Sequence, residues 1–217
     1  MLNYENIEKY RENNRIEAKK ATGGLPHSIW ETYSAFANTL GGVILLGVRE
    51  DRDRSFHAEG LKDPEGMIRE FWELINSKKI ANKNILERDD IKTFENGDKR
   101  MIAITVPRAK RSEMPIYIFD NIWSGTHRRS GDGDYRCSKE EIEQMLRLAK
   151  MDIAPADSAL VDMLTAKGEL EVEEAALVLF VDEKTAKARL ERLVALEIAE
   201  KDGNVYKLKP SKLLEED

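Results

Sequence analysis

The strongest hydrophobic pattern in the chain lies between Pro26 and Val48. Trp30, Tyr33, Phe36, Ala37 and Leu40 recur at helical spacing and form an apolar stripe. Pro26 suits the opening of that helix, because a first-turn N–H has no partner to lose. Gly41 and Gly42 end it, one of them in the left-handed conformation that glycine adopts cheaply. The unbroken apolar run Val43–Val48 predicts a strand covered on both faces, so the helix packs on a central strand. Upstream, Tyr4–Arg11 predicts a short helix that fades at Asn13 and Asn14. Downstream, Arg49–Arg54 predicts a charged turn. Leu61–Ile80 reads as an amphipathic helix with Met67, Ile68, Phe71 and Leu74 inward and Pro64 near its start. Ile91–Phe94 and Arg100–Val106 predict two strands joined around Asn96-Gly97, a strong hairpin signal. Ile116–Phe119 predicts a short strand and residues 125–137 a glycine-rich, charged hairpin or loop. Ser138 and Glu141 make a capping box for a helix through Ile142, Met145 and Leu146.

Near residue 150 the pattern changes. Residues 151–156, with Pro155 between two alanines, predict a linker that divides a first domain, 1–150, from a second, 157–217. The second domain reads as helices over Asp157–Ala166 and Glu171–Phe180, a third capped by Asp182, and a hairpin of Ile198–Lys201 and Val205–Leu208 around Asp202-Gly203-Asn204. That order is the order of a winged helix, in which the third helix reads DNA and the hairpin is the wing.

Composition narrows the class. The chain has 217 residues, 41% of them hydrophobic, enough for a sizeable core in one or two domains. No apolar run reaches the roughly 20 residues that span a bilayer, and the N-terminus lacks a signal-peptide core, so a cytoplasmic protein is expected. A single cysteine, Cys137, makes no internal disulfide and no thiolate zinc cluster. Net charge is −6, yet residues 151–217 hold nine Lys and Arg against sixteen Asp and Glu, leaving 26 against 25 for residues 1–150. Electrostatics places a polyanion on the first domain, while the second either contacts DNA itself or serves dimerisation or protein contact. On the third helix of the second domain, Lys184, Lys187, Arg189 and Arg192 are interspersed with Asp182, Glu183 and Glu191.

Two constellations carry chemistry. Glu12 and Glu17 diverge by about 140° on a continuous helix, and point to opposite faces of a continuous strand. They converge only if the backbone turns between them, and Asn13-Asn14 offers that turn. The second constellation is basic: Lys19 and Lys20, then Arg108, Lys110 and Arg111, then His127, Arg128, Arg129 and Arg136 around Gly125, Gly131 and Gly133. If their strands are neighbours, these cations share an edge, where guanidinium forks and glycine N–H groups suit phosphate. Ordinary surface ion pairs with Glu113, Asp132 and Asp134 are the alternative.

The segments RIEAKK at 15–20, LPHSIWETYSAFANT at 25–39 and GGVILLGV at 41–48 resemble the Schlafen AlbA-type domain of bacterial and archaeal transcriptional regulators, shared with the animal Schlafen proteins. The resemblance continues through VPRAKR, PIY and GTHRRSGDGDYRC to about Lys150, roughly two thirds of the chain. In the ribonuclease members, a pair of carboxylates and a third acid after the central strand form a metal-dependent site. The matching positions here are Glu12, Glu17 and Glu50, with Asp51 beside the last, and three carboxylates suit Mg²⁺ or Mn²⁺. The chain departs from that pattern in having Glu at the third position and no Cys/His zinc site. Relatives are often described as binding ATP, but no GxxxxGK[ST] loop is present and ATP is not expected.

The sequence thus predicts an α/β (α+β) domain with a mixed sheet followed by a small winged-helix module. The expected function is nucleic-acid binding and transcriptional regulation, as a homodimer contacting DNA or RNA phosphates through the first domain. A metal-dependent endoribonuclease acting on tRNA-like RNA, and a noncatalytic module docking a protein partner on its acidic second domain, are the alternatives.

Overall fold

The N-terminal part of the chain runs β1 (Ile16–Lys19), α1 (Ile29–Asn38), β2 (Gly42–Leu46), β3 (Val48–Glu50), β4 (Phe56–Ala58), α2 (Pro64–Ile75), β5 (Ile91–Asn96), β6 (Lys99–Val106), α3 (Ile122–Gly125), β7 (His127–Ser130), β8 (Gly133–Arg136) and α4 (Lys139–Ala149). The computed structural model describes residues 7, 9–151 and 153–210. It divides between Ile142 and Glu143 into two compact units. The helix expected over Tyr4–Arg11 falls largely outside the described residues.

A mixed sheet of order β1-β2-β6-β5 organises the first unit. β1 runs parallel to β2, Ile16 opposite Val43; β2 and β6 are antiparallel, Ile44 opposite Ile104; and β5 and β6 form the expected hairpin, with Asn96 opposite Lys99. One face of the sheet buries Leu45, Phe94, Met101 and Ala103 with Ile7, Ile16, Val48 and Phe56. α1 packs against β2 and β6, and Trp30 stacks on Phe71 of α2 at 5.2 Å.

Gly47 cuts the apolar run. At φ +81 it turns the chain, so Val48 leaves the main sheet and starts a separate hairpin, β3 with β4, where a charged turn was expected. Gly41, at φ +70, ends the α1 turn; a Cβ there would lie 2.8 Å from the carbonyl oxygen of Val106. α1 starts three residues after Pro26, behind a turn in which the Ile29 N–H donates to the Pro26 carbonyl. α2 is shorter than its pattern suggested, because Asp63 caps it by accepting from the Gly66 N–H. The expected strand Ile116–Phe119 makes only isolated bridges, Tyr117 to Thr126 and Ile118 to Ala81. The glycine-rich segment forms the β7–β8 hairpin, and Ser138 and Glu141 exchange the bonds of a capping box.

The second unit contains α5 (Pro155–Lys167), β9 (Glu169–Glu171), α6 (Val172–Leu179), α7 (Glu183–Ala195), β10 (Ala199–Asp202) and β11 (Val205–Leu208), its strands ordered β10-β11-β9. Pro155 occupies the first turn of α5, where its missing N–H costs nothing. Leu160, Leu164, Leu170, Leu190, Leu193, Ile198 and Tyr206 form the core. Asp157, also buried, receives Arg189 at 3.1 Å and Arg192 at 3.6 Å from α7. No helix among the described residues is long and apolar enough to cross a membrane.

α1 is buried on nearly every side, so its polar side chains must find partners inside. Asn38 donates to the carbonyls of Ile116 (2.7 Å) and His127 (3.1 Å) and accepts from the Ile116 N–H (2.8 Å). Ser34 donates to Ile116 and accepts from the His127 N–H, while the Thr39 hydroxyl accepts from the Arg129 N–H. One helix face thereby takes the place of a sheet edge for the segment that leads into β7. Asn38→Ala leaves these backbone groups buried and unpaired, at about 2–4 kcal/mol. A thermal melt is expected to show Tm lower by roughly 10 °C, and an unchanged melt would refute the role.

Candidate functional site

The turn through Asn13 and Asn14 supplies the change of direction between Glu12 and Glu17. The Asn13 side chain accepts from the Arg15 N–H at 2.7 Å, and the Asn13 N–H donates to the Ile16 carbonyl at 3.2 Å. The chain reverses, and the Glu12 carboxylate accepts from the Ala18 N–H of β1 at 2.9 Å. Glu17, one residue into β1, is held by Lys19 at 2.9 Å and Arg129 at 2.8 Å. Oε2 of Glu17 is buried and makes no hydrogen bond, so its contact with the guanidinium is one of charge and not of an aligned N–H.

Arg129 lies at the centre of this arrangement. Its side chain is 1% exposed, and it donates to the Asn13 carbonyl (2.9 Å), the Ile16 carbonyl (3.3 Å) and Asp134 (2.8 Å), with Phe36 5.2 Å beneath it. Burial opposes its charge, but Asp134 and Glu17 more than compensate and hold its pKa above the ordinary arginine value. Its placement corrects the expectation that Arg129 meets phosphate at the surface, since its donors are already committed to the fold.

Glu12 is raised from the ordinary carboxylate value to about 7. Burial is the largest cause; the Ala18 N–H opposes it, Glu17 and Glu50 add repulsion, and Arg129 attracts. Glu12 therefore lies within electrostatic reach of both other carboxylates singled out by sequence. Asp51 is turned elsewhere, paired with Arg49 and with His57 at 3.2 Å. His57 offers the same nitrogen, Nε2, to Ser55 and Asp51, so these three side chains form no proton relay. The donor set has the hard oxygens that Mg²⁺ or Mn²⁺ takes. Its spacing does not fit one: among the described residues no three acid, histidine or cysteine side chains are placed to hold an ion. Lys19 and Arg129 supply the countercharge instead.

The remaining basic positions separate into three groups. His127 is buried with Arg129; Lys19 and Arg128 are ion-paired, the latter with Glu141 at 2.8 Å; Lys20, Lys110 and Arg136 are exposed and Arg108 and Arg111 half-buried. Arg108 and Arg15 converge on an open cleft of about 470 Å³ where β1 and β2 begin and β6 ends. Arg15 donates to the Leu40 carbonyl at 2.9 Å and Arg108 to the Thr39 carbonyl, both at the end of α1. Gly41 and Gly42 line the same cleft, and no acid among the described residues does. Arg15 was missed in the sequence because it stands alone; its signal was its position just before β1, opposite the end of β6. Cys137 is buried, its thiol pushed up to about 12 by burial.

The family model described as Schlafen, AlbA_2 matches residues 12–138, more than half of the chain. No curated protein matches the sequence. Among similar solved structures is the N-terminal domain of an ATP-dependent DNA helicase RecG-related protein from Nitrosomonas europaea. It is 30% identical with a TM-score of 0.46, over 62% of this chain and 90% of that one. A protein from Corynebacterium diphtheriae is 18% identical with a TM-score of 0.40, over 69% of this chain and 33% of that one.

The electrostatics of Glu12 have a measurable consequence. A folded-state pKa above the unfolded one means that the folded chain keeps a proton the unfolded chain has lost. Stability therefore falls as pH rises from the ordinary carboxylate range to about 7, and the cost is fully present above that. Screening by solvent at this half-buried group reduces the cost to about 1 kcal/mol. Glu12→Gln keeps an acceptor for the Ala18 N–H, so it is expected to raise Tm at pH 8 by about 2–4 °C and leave Tm at pH 4 unchanged. An equal shift at both pH values would show that charge is not the cause.

Proposed function

The chain belongs to the Schlafen AlbA_2 family, and from that membership and the cleft at Arg15 and Arg108 we propose that it binds nucleic acid through the phosphate backbone. The cleft is the observation that supports this reading. Arg15, anchored on the Leu40 carbonyl, and Arg108, which donates to the Thr39 carbonyl, both reach this cleft, and a guanidinium suits a phosphate oxygen. Lys110, exposed two residues beyond Arg108, extends the positive surface. The near-neutral first unit is better suited to a polyanion than the acidic second one.

The finer reading is a transcriptional regulator whose second unit is a winged-helix module, acting as a homodimer. Its helix, strand, helix, helix, hairpin order supports that reading. On α7, Arg189 and Arg192 are engaged by Asp157, so Lys184 and Lys187 are the cations left exposed for DNA.

Metal-dependent cleavage of tRNA-like RNA is the second reading. Its support is the repulsion that Glu17 and Glu50 exert on Glu12, which a cation would relieve; against it stand the absence, among the described residues, of three side chains spaced to hold an ion, and Lys19 and Arg129, which already supply positive charge to Glu17. Incubation of tRNA with Mn²⁺ and either the native chain or Glu50→Gln separates the two. Cleavage by the native chain alone would promote the second reading.

The leading reading is tested by anisotropy with labelled DNA and RNA across a salt series. Affinity is expected to fall linearly on logarithmic axes, and Arg15→Ala to weaken binding to all sequences alike while reducing the slope by about one. No salt-dependent affinity for either polymer would overturn it.

A further inference from the structure

We propose that the first unit also carries a stacking surface for unpaired bases, so that its ligand is single-stranded nucleic acid or a single-stranded region. This rests on the nucleic-acid-binding reading above and specifies the ligand class. In the first unit the large apolar side chains most exposed among the described residues are all aromatic: Phe119 at 36%, Trp123 at 47% and Tyr135 at 52%.

These rings share a neighbourhood around the start of α1. His27, just before α1, stacks on Phe119 at 4.7 Å and 16°. Thr32, in the first turn of α1, donates to Asp134 at 2.6 Å and so holds β8 alongside, with Tyr135 on the strand's outer face. Ser34, two residues on, has its hydroxyl 3.3 Å from the Gly125 carbonyl at the end of α3, the helix that carries Trp123. Contacts continue across the surface: Arg128 lies 5.9 Å over Tyr135 and pairs with Glu141, and Lys139 of the same helix turn lies 6.0 Å over Trp123.

The backbone fixes where the rings lie. Asn121 accepts from the N–H groups of Trp123 and Ser124, both at 3.0 Å, and fixes Trp123 in the first turn of α3. Phe119 and Asp120 both adopt left-handed conformations, at φ +56 and +52, costly for residues with a Cβ and found where a site demands them. At Gly133 a Cβ would lie 2.7 Å from the Tyr135 ring, so the missing side chain lets that ring lie against its own strand.

A single strand repeats base and phosphate, and this surface sets a cation beside each of two rings: Lys139 at Trp123 and Arg128 at Tyr135. A duplex hides its base faces and gains nothing from the rings. An apolar protein partner has no use for the cations beside Trp123 and Tyr135, which is why a single strand is the occupant that fits.

The test is anisotropy of the full chain with labelled oligo-dT, oligo-rU and a duplex of equal length, using Trp123→Ala, Tyr135→Ala and Trp123→Phe. Each alanine variant is expected to weaken single-strand binding about ten-fold, with duplex affinity and salt slope unchanged, and Trp123→Phe to restore most of the loss. The DNA and RNA arms identify which strand is preferred. Both alanine variants replace exposed rings, and matching melts establish that they fold. Single-strand affinity unchanged in both, or single-strand and duplex affinity lost in equal measure, overturns the stacking surface while leaving the nucleic-acid-binding reading intact. No binding of any oligonucleotide by the native chain overturns both.

Discussion

Taking the Arg129 guanidinium out of water is costly unless every donor finds an acceptor, and its acceptors come from distant parts of the chain. Asn13 and Ile16 offer carbonyls from the turn before β1, Asp134 a carboxylate from β8, and Phe36 a ring face from α1. The side chain satisfies these groups only when the N-terminal turn, the central helix and the β7–β8 hairpin are all in place. A buried charge of this kind adds little net stability compared with a well-packed apolar group, but an alternative packing that separates its partners leaves it unpaired. Arg129 therefore acts on which fold forms more than on how stable it is.

The same guanidinium shapes the chemistry around it. By fixing the turn at Asn13 it sets the direction in which Glu12 points, and by attracting Glu17 it limits how far the carboxylates repel one another. Glu12 still bears the residual cost as an elevated pKa. An acidic cluster thus lies on one part of the unit, with its countercharge supplied internally, and a basic cleft at Arg15 and Arg108 lies where β1 and β2 begin and β6 ends. Arg15 stands between the two, two residues from Asn13 on one side and bonded to Leu40 on the other. A polyanion would find the carboxylates unfavourable and the cleft favourable, so the arrangement restricts where its backbone can run.

Periodic hydrophobicity made α1, β2 and the β5–β6 hairpin readable, because each buries a regular set of side chains and ends at a glycine or a turn. It failed at Gly47. An apolar run gives no sign that one residue at positive φ moves Val48 into another sheet. The carboxylate group was legible in part: the five-residue spacing required a turn, and Asn13-Asn14 was the only candidate between them. The fate of the arginines was not. Adjacent residues on β7 face opposite sides, so Arg128 reaches Glu141 at the surface while Arg129 enters the core. Composition cannot distinguish them, because Arg129 is buried against Asn13, Ile16 and Glu17, more than a hundred residues earlier in the sequence, as well as Phe36 and Asp134.

The second unit shows the same economy of charge with the opposite outcome. Asp157 is 1% exposed on α5, and a buried carboxylate without partners would be strongly destabilising. Arg189 and Arg192 on α7 provide the compensation, which fixes the rotation of that helix about its axis. Since residues three apart share a face, both arginines are turned toward α5, and Lys184 and Lys187 belong to a different stripe. A helix that used all four cations for phosphate would leave Asp157 without its partners. Any contact between α7 and nucleic acid is therefore limited by the core of its own unit, which already engages two of the four cations of that helix.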